Sequence, residues 1–172
     1  MRTIAIMPIS FGGKRVKIEK TIITNKVSIE PKHENHGQFE YYKHLIVPRE
    51  GNQCTVAIME IPPLKASFPY HYHIAVTEVF YIISGEGVAI TAEGECKVSA
   101  GDVIVFPPGA TGAHKIINTS QSETLRYIDF DTTAQADVTF YPDSQKIGMV
   151  LNGLASKEYY KENSAVDYYE GE

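Results

Sequence analysis

The alternation of hydrophobic and polar positions changes character along the chain. From residue 41 to about residue 130, short runs of apolar, aromatic and β-branched residues recur: YYKHLIV, CTVAIMEI, EVFYIIS, GVAITA, ECKVSA, DVIVFP, HKIIN and TLRYIDF. Turn-forming clusters separate them, including PREGN, SGEG, AEGE, SAGD, PPGATG and NTSQSE. None of these runs sustains the apolar period of an amphipathic helix. Many short strands at close spacing predict an all-β sandwich or barrel. Residues 1–37 read as an N-terminal arm, irregular apart from one or two edge strands such as VKIEKTIIT. The barrel is expected over residues 38–135 and a C-terminal extension over 136–172. Residues 131–156 read as loops plus one short strand. The tail that follows is rich in tyrosine among alternating charges.

Composition narrows the partners. A chain of 172 residues suits one domain with one sizeable core. With 43% hydrophobic and 22% charged residues, it has the make-up of an ordinary soluble protein. The net charge of −5 and the lack of a basic cluster argue against nucleic acid as a partner. The apolar runs are far shorter than the roughly 18 residues of a membrane helix. The opening MRTIAIMPISFGG lacks the features of a secretory signal. The cytoplasm is therefore the expected compartment. Cys54 and Cys96 fall in strand-like runs and are expected as free, buried thiols; a disulfide between them is left open.

The segment PYHYHIAVTEVFYIISGEG places ionisable groups in a stretch that otherwise reads as core. Side chains alternate along a strand, so His71 and His73 face the same way, roughly 6.5–7 Å apart. That suits two ligands of one metal ion. Glu78 lies at odd spacing from His73, so the intervening IAVT must bend. Glu78 then opens a new strand, with Phe80 and Ile82 on its face. Further on, His114 opens a strand whose same face carries Ile116 and Asn118. Imidazoles and an ionised carboxylate without partners would be costly inside a core, and a divalent cation offsets that cost. Imidazole and carboxylate ligands suit Fe(II), Mn, Ni, Zn or Cu.

These residues resemble the two motifs of the cupin superfamily. His71, His73, Glu78 and Gly85 match the first motif, with Lys65 where its leading glycine usually stands. Gly101, Pro107, Gly109, His114 and Asn118 match the second in order. Two extra residues separate Gly109 from His114, and Gly112 stands where the usual histidine would fall. A shift of two preserves strand parity, so His114 can still face inward. FPPGATGAHKIINTS, YPDSQKIG and DYYEGE are similar to stretches of a subgroup of single-domain bacterial cupins, with Tyr169 where Trp is expected. The resemblance implies a double-stranded β-helix, the cupin jelly-roll barrel. It implies one divalent transition metal (Fe, Mn, Ni or Zn) held by His71, His73, Glu78 and His114. It also implies homodimerisation through the sheets.

Such a centre leaves coordination positions open and favours an anionic or bidentate oxygen ligand. Two functions follow. One is a metal-dependent enzyme on a small oxygen-rich metabolite, acting as isomerase, decarboxylase or dioxygenase. The other is a non-catalytic small-molecule-binding or sensing module. Glu78 is the one catalytic base the sequence names, and no second acid or base is evident. Phe80 and Phe106 are candidates for the apolar wall of a substrate pocket, with plain core filling as the alternative. His33, His36 and His44 are expected to be exposed. Tyr168 and Tyr169 are the expected anchors if the tail docks on the barrel or on a partner subunit.

Overall fold

The computed structural model describes residues 17–151 and 158–172. It is built of β-strands joined by turns and one-turn 3-10 helices. The strands are β1 (Lys32–His36), β2 (Phe39–Val47), β3 (Cys54–Ile61), β4 (Tyr72–His73), β5 (Glu78–Ser84), β6 (Glu86–Thr91) and β7 (Gly94–Ser99). They continue as β8 (Val103–Phe106), β9 (His114–Asn118), β10 (Leu125–Thr132), β11 (Ala136–Tyr141), β12 (Lys146–Leu151) and β13 (Glu158–Lys161). A six-stranded sheet runs β1-β2-β3-β10-β5-β8; a second sheet runs β13-β12-β11-β4 and a third β7-β6-β9. The strand pairings are antiparallel. This is the all-β double-stranded β-helix expected. Among the described residues no helix is long and apolar enough to cross a membrane.

The interior has an apolar end and a polar end, and single strands run through both. Along β10 the inward residues are Leu125, Tyr127, Asp129 and Asp131, all buried, while the residues between them face outward. Along β5 the inward series is Glu78, Phe80 and Ile82. The register pairs Asp131 with Glu78 and Tyr127 with Ile82, so like layers meet. Met59 and Ile61 of β3, Ile116 of β9 and Ala89 of β6 complete the apolar end. Burying side chains of this size contributes about 1.5–3 kcal/mol each.

Several expectations need correction. The edge strand of the arm is KHENH, not VKIEKTIIT: residues 17–24 form no strand, and residues 1–16 lie outside the described residues. The described part of residues 131–156 supplies two strands, β11 and β12, paired as a hairpin, rather than one. Cys96 is exposed and Cys54 half-buried, and both are free. The reason for Cys96 is that β7 is an edge strand with only Val98 buried. His44 is buried rather than exposed, because residues before β1 cover it: its Nδ1 lies 3.0 Å from the Ile29 carbonyl and its Nε2 3.1 Å from Glu60. His33 and His36 are exposed. Tyr168 and Tyr169 are largely exposed and pack on each other, so they do not anchor the tail on its own barrel. Backbone pairing of β13 with β12 holds it instead.

Candidate metal centre

Three short elements bring the histidines together. His71 and His114 face each other across an antiparallel bridge: the His71 N–H donates to the His114 carbonyl at 3.1 Å, and the His114 N–H donates to the His71 carbonyl at 2.8 Å. His73 belongs to β4 and pairs with Thr139 of β11. After His73 the chain bends, as the odd spacing requires. Asp137 Oδ1 accepts from the Ala75 N–H at 2.9 Å, and the Thr77 N–H donates to Thr132 Oγ1 at 3.0 Å. The bend delivers Glu78 to the first position of β5.

The stretched second motif is resolved by a one-turn 3-10 helix, Ala110–Gly112. Gly109 starts it at φ 91°, a conformation suited to glycine, and its N–H donates to the His73 carbonyl at 2.7 Å. A Cβ on Gly112 would stand 1.8 Å from the Pro107 carbonyl oxygen, so no side chain fits there. His114, two residues later, takes the inward place, and Ile116 and Asn118 follow it on the buried face.

Each imidazole is oriented through its Nδ1. That of His71 lies 2.8 Å from the Pro69 carbonyl, and that of His114 lies 2.9 Å from the Gly112 carbonyl. His73 Nδ1 bonds the buried Asp137 carboxylate. A carbonyl accepts only from a protonated nitrogen, so these contacts leave Nε2 with its lone pair available to a ligand. The Nε2 atoms of His73 and His114 flank Glu78. His73 Nε2 is 3.7 Å from Oε1, and His114 Nε2 is 3.4 Å from Oε2. Ligand atoms of His71, His73 and Glu78 all lie within 4.8 Å of one another. Burial pushes the Glu78 carboxyl up to about 7 and holds His114 down to about 4, so His114 is neutral and Glu78 lacks the counter-charge a cation would provide. His71, His73 and Glu78 therefore fit a divalent transition metal, while His114 reaches the group through Glu78.

A cavity of about 920 Å³ opens beside this group and is lined by His71, His73 and Glu78. Tyr41, Phe68, Tyr141 and Tyr159 supply its aromatic lining. Tyr141 stacks on His71 with ring centroids 5.7 Å apart. Phe80 and Phe106 are placed elsewhere. Both are buried, neither lines the cavity, and both pack on the far imidazole, with Phe106 stacked on His114 at 3.7 Å.

The structure adds acids and a base that the sequence reading missed. Asp129 and Asp131 line the cavity, and their oxygens lie within 4.8 Å of one another and of Glu78. Lys43 Nζ donates to Asp129 Oδ2 at 2.9 Å. Burial opposes ionisation of Asp129, but Lys43 outweighs it and holds the group low. Burial, reinforced by the Asp129 charge, pushes Asp131 up to about 9. The pair thus shares one proton at neutral pH, held mainly on Asp131. Alternation from Leu125 in LRYIDFD would have placed both aspartates inward. Asp137 had no such signal, because its stretch read as loops plus one short strand.

Residues 57–131 match the family model described as a cupin domain. No curated protein matches the chain at a significant level. Among solved structures, a sugar phosphate isomerase from a cupin superfamily of Silicibacter pomeroyi is similar at 17% identity and TM-score 0.70, over 85% of this chain and 96% of that one. A protein of Acidithiobacillus ferrooxidans, provisionally labelled a sugar phosphate isomerase, is 23% identical at TM-score 0.67, over 81% of this chain and 89% of that one. A predicted oxalate decarboxylase of Thermotoga maritima is 24% identical at TM-score 0.58, over 64% and 98%. The likeness is one of fold. Matched motifs, sheet order and family model agree on a cupin domain at residues 57–131.

Proposed function

We propose that this cupin is a metal-dependent enzyme that moves a proton on a small, oxygen-rich metabolite, with isomerisation as the favoured reaction and decarboxylation as its neighbour. The observation that carries the reading is the convergence of oriented imidazoles on Glu78 beside a cavity that also holds the Asp129–Asp131 pair. His71, His73, Glu78 and His114 would hold the metal. A bound divalent ion supplies Lewis-acid polarisation of a substrate oxygen. Asp137, the Pro69 carbonyl and the Gly112 carbonyl hold the imidazoles in place.

Proton transfer falls to the buried Asp129–Asp131 pair. Asp131, pushed up to about 9 by burial and the Asp129 charge, holds a proton at neutral pH that it can give to a substrate, while Glu78 serves the metal as a carboxylate. Lys43 keeps Asp129 ionised next to Asp131. The aromatic lining excludes water from a ligand seated there. Two structural neighbours bear the name sugar phosphate isomerase, which agrees with proton-transfer chemistry.

The test is turnover of aldose and ketose phosphates by the metal-loaded chain. His73→Ala is expected to lose metal and turnover together. Asp131→Asn is expected to keep the metal and lose turnover by on the order of 10²-fold. Ligand-induced thermal stabilisation without product would contradict the enzyme and leave a binding module.

We further propose that the chain pairs as a homodimer. Val103 and Val105 of β8 lie in register with Tyr81 and Val79 of β5, and Phe130 of β10 follows Val79. Tyr81, Val103, Val105 and Phe130 are exposed. A second copy over this face would remove them from water.

A further inference from the structure

Arg49 stands in the turn between β2 and β3 and lines the same cavity as His71, His73 and Glu78. Its Nη1 is buried, and among the described residues no acceptor reaches it. A buried guanidinium nitrogen without an acceptor is costly.

The turn that carries Arg49 is pinned. Asn52 Nδ2 donates to the carbonyls of Pro48 at 2.9 Å and Glu50 at 3.2 Å, and the Asn52 N–H donates to the Arg49 carbonyl at 3.3 Å. Thr133 Oγ1 holds the Asn52 carbonyl at 2.7 Å, and Thr55 Oγ1 holds that of Val47 at 2.8 Å. The guanidinium is therefore presented by a fixed backbone. It shares the cavity lining with Glu78 and with His73, whose imidazole bonds Asp137, which places it beside the candidate metal centre. Those carboxylates are engaged elsewhere: Asp137 by His73 and the Ala75 N–H, Glu78 by its contacts with His73 and His114. The other cations that line the cavity have partners: Lys43 is held by Asp129, Lys32 pairs with Glu34, and Lys146 lies over the Tyr141 ring.

We propose that Arg49 is an oxyanion anchor, so that the cavity takes a two-ended metabolite: an oxygen chelate at the metal and a phosphate or carboxylate on Arg49. The inference rests on the metal-site reading above. The planar fork of a guanidinium matches the oxygens of either group. A cavity of about 920 Å³ has room for both ends of such a ligand.

Three probes share an α-hydroxycarboxylate head and differ in the tail: 3-phosphoglycerate, malate and lactate. Calorimetry on the metal-loaded full chain compares them. A tailed probe is expected to bind about tenfold to a hundredfold tighter than lactate. Arg49→Gln erases that ratio, and Arg49→Lys keeps part of it. The larger of the two gains tells phosphate from carboxylate. Equal binding of all three by the wild type, no binding of any, or a ratio that survives Arg49→Gln would overturn the anchor. The wild-type comparison stands even if a variant fails to fold. A chain that takes up no metal would sink the metal reading alone. Thermal shift with inorganic phosphate and with malonate then compares wild type and Arg49→Gln: stabilisation that depends on Arg49 supports the anchor, and identical shifts overturn it.

Discussion

Among single residues, Asp137 does the most for its size. It is buried, bonds His73 Nδ1, and accepts from the Ala75 N–H at the bend before Glu78. Burial opposes its charge, but the His73 and Ala75 bonds hold the carboxyl below its ordinary range. One side chain thus orients a ligand and fixes the bend that brings in the next. Asp137→Asn is expected to weaken metal binding by about 10–100-fold with the fold retained, read by competition with a chelator. Unchanged affinity would contradict the orienting role. The sequence revealed the inward face of His71, His73 and His114 through strand parity alone. It hid Asp137, because a strand that begins with exposed and polar residues carries little apolar alternation. It also hid the reason for Gly112. That reason is a clash with the Pro107 carbonyl, which depends on a close approach within the loop that no local pattern encodes.

Elements away from the site are tied by charge on the outer face of the sheet. Glu60 of β3 contacts Lys26 at 2.5 Å, Arg126 of β10 at 2.7 Å and His44 of β2 at 3.1 Å. Burial opposes its charge, but these partners hold its carboxyl down to about 2. A depressed carboxylate contributes stability above its unfolded value and loses it as pH falls toward the folded one. Stability is therefore expected to decline between about pH 4.5 and pH 2, and Glu60→Gln is expected to flatten that part of the curve. An unchanged acid limb in denaturant titrations would contradict the assignment. The Lys26 end of this network belongs to the segment that covers His44, which is why that histidine is buried against expectation. KHENH was unreadable as a strand for a related reason. It is an edge strand exposed along nearly its whole length, so no alternation marks it.

On the scale of the molecule, the barrel is a core whose inward faces change from apolar to ionisable along single strands. Leu125 and Tyr127 pack where Ile82 and Met59 meet them, and Asp129 and Asp131 stand where Glu78 and Lys43 meet them. The central strands were legible because each alternates cleanly. The closing hairpin of β11 and β12 was not, although it carries Asp137, Thr139 and Tyr141 to the site. If the apolar face of β8, β5 and β10 joins two copies, sedimentation will report a dimer and a Val103→Glu, Val105→Glu double variant will run as a monomer. A wild type that sediments as a monomer at high concentration would contradict that pairing. The central claim is that buried imidazoles and Glu78 hold a metal. Elemental analysis of untagged protein purified without chelators, beside a His114→Ala variant, tests it most directly. The account predicts about one transition metal per chain, lost or weakened in the variant. A wild type that carries no metal and takes none up when it is added back would contradict it.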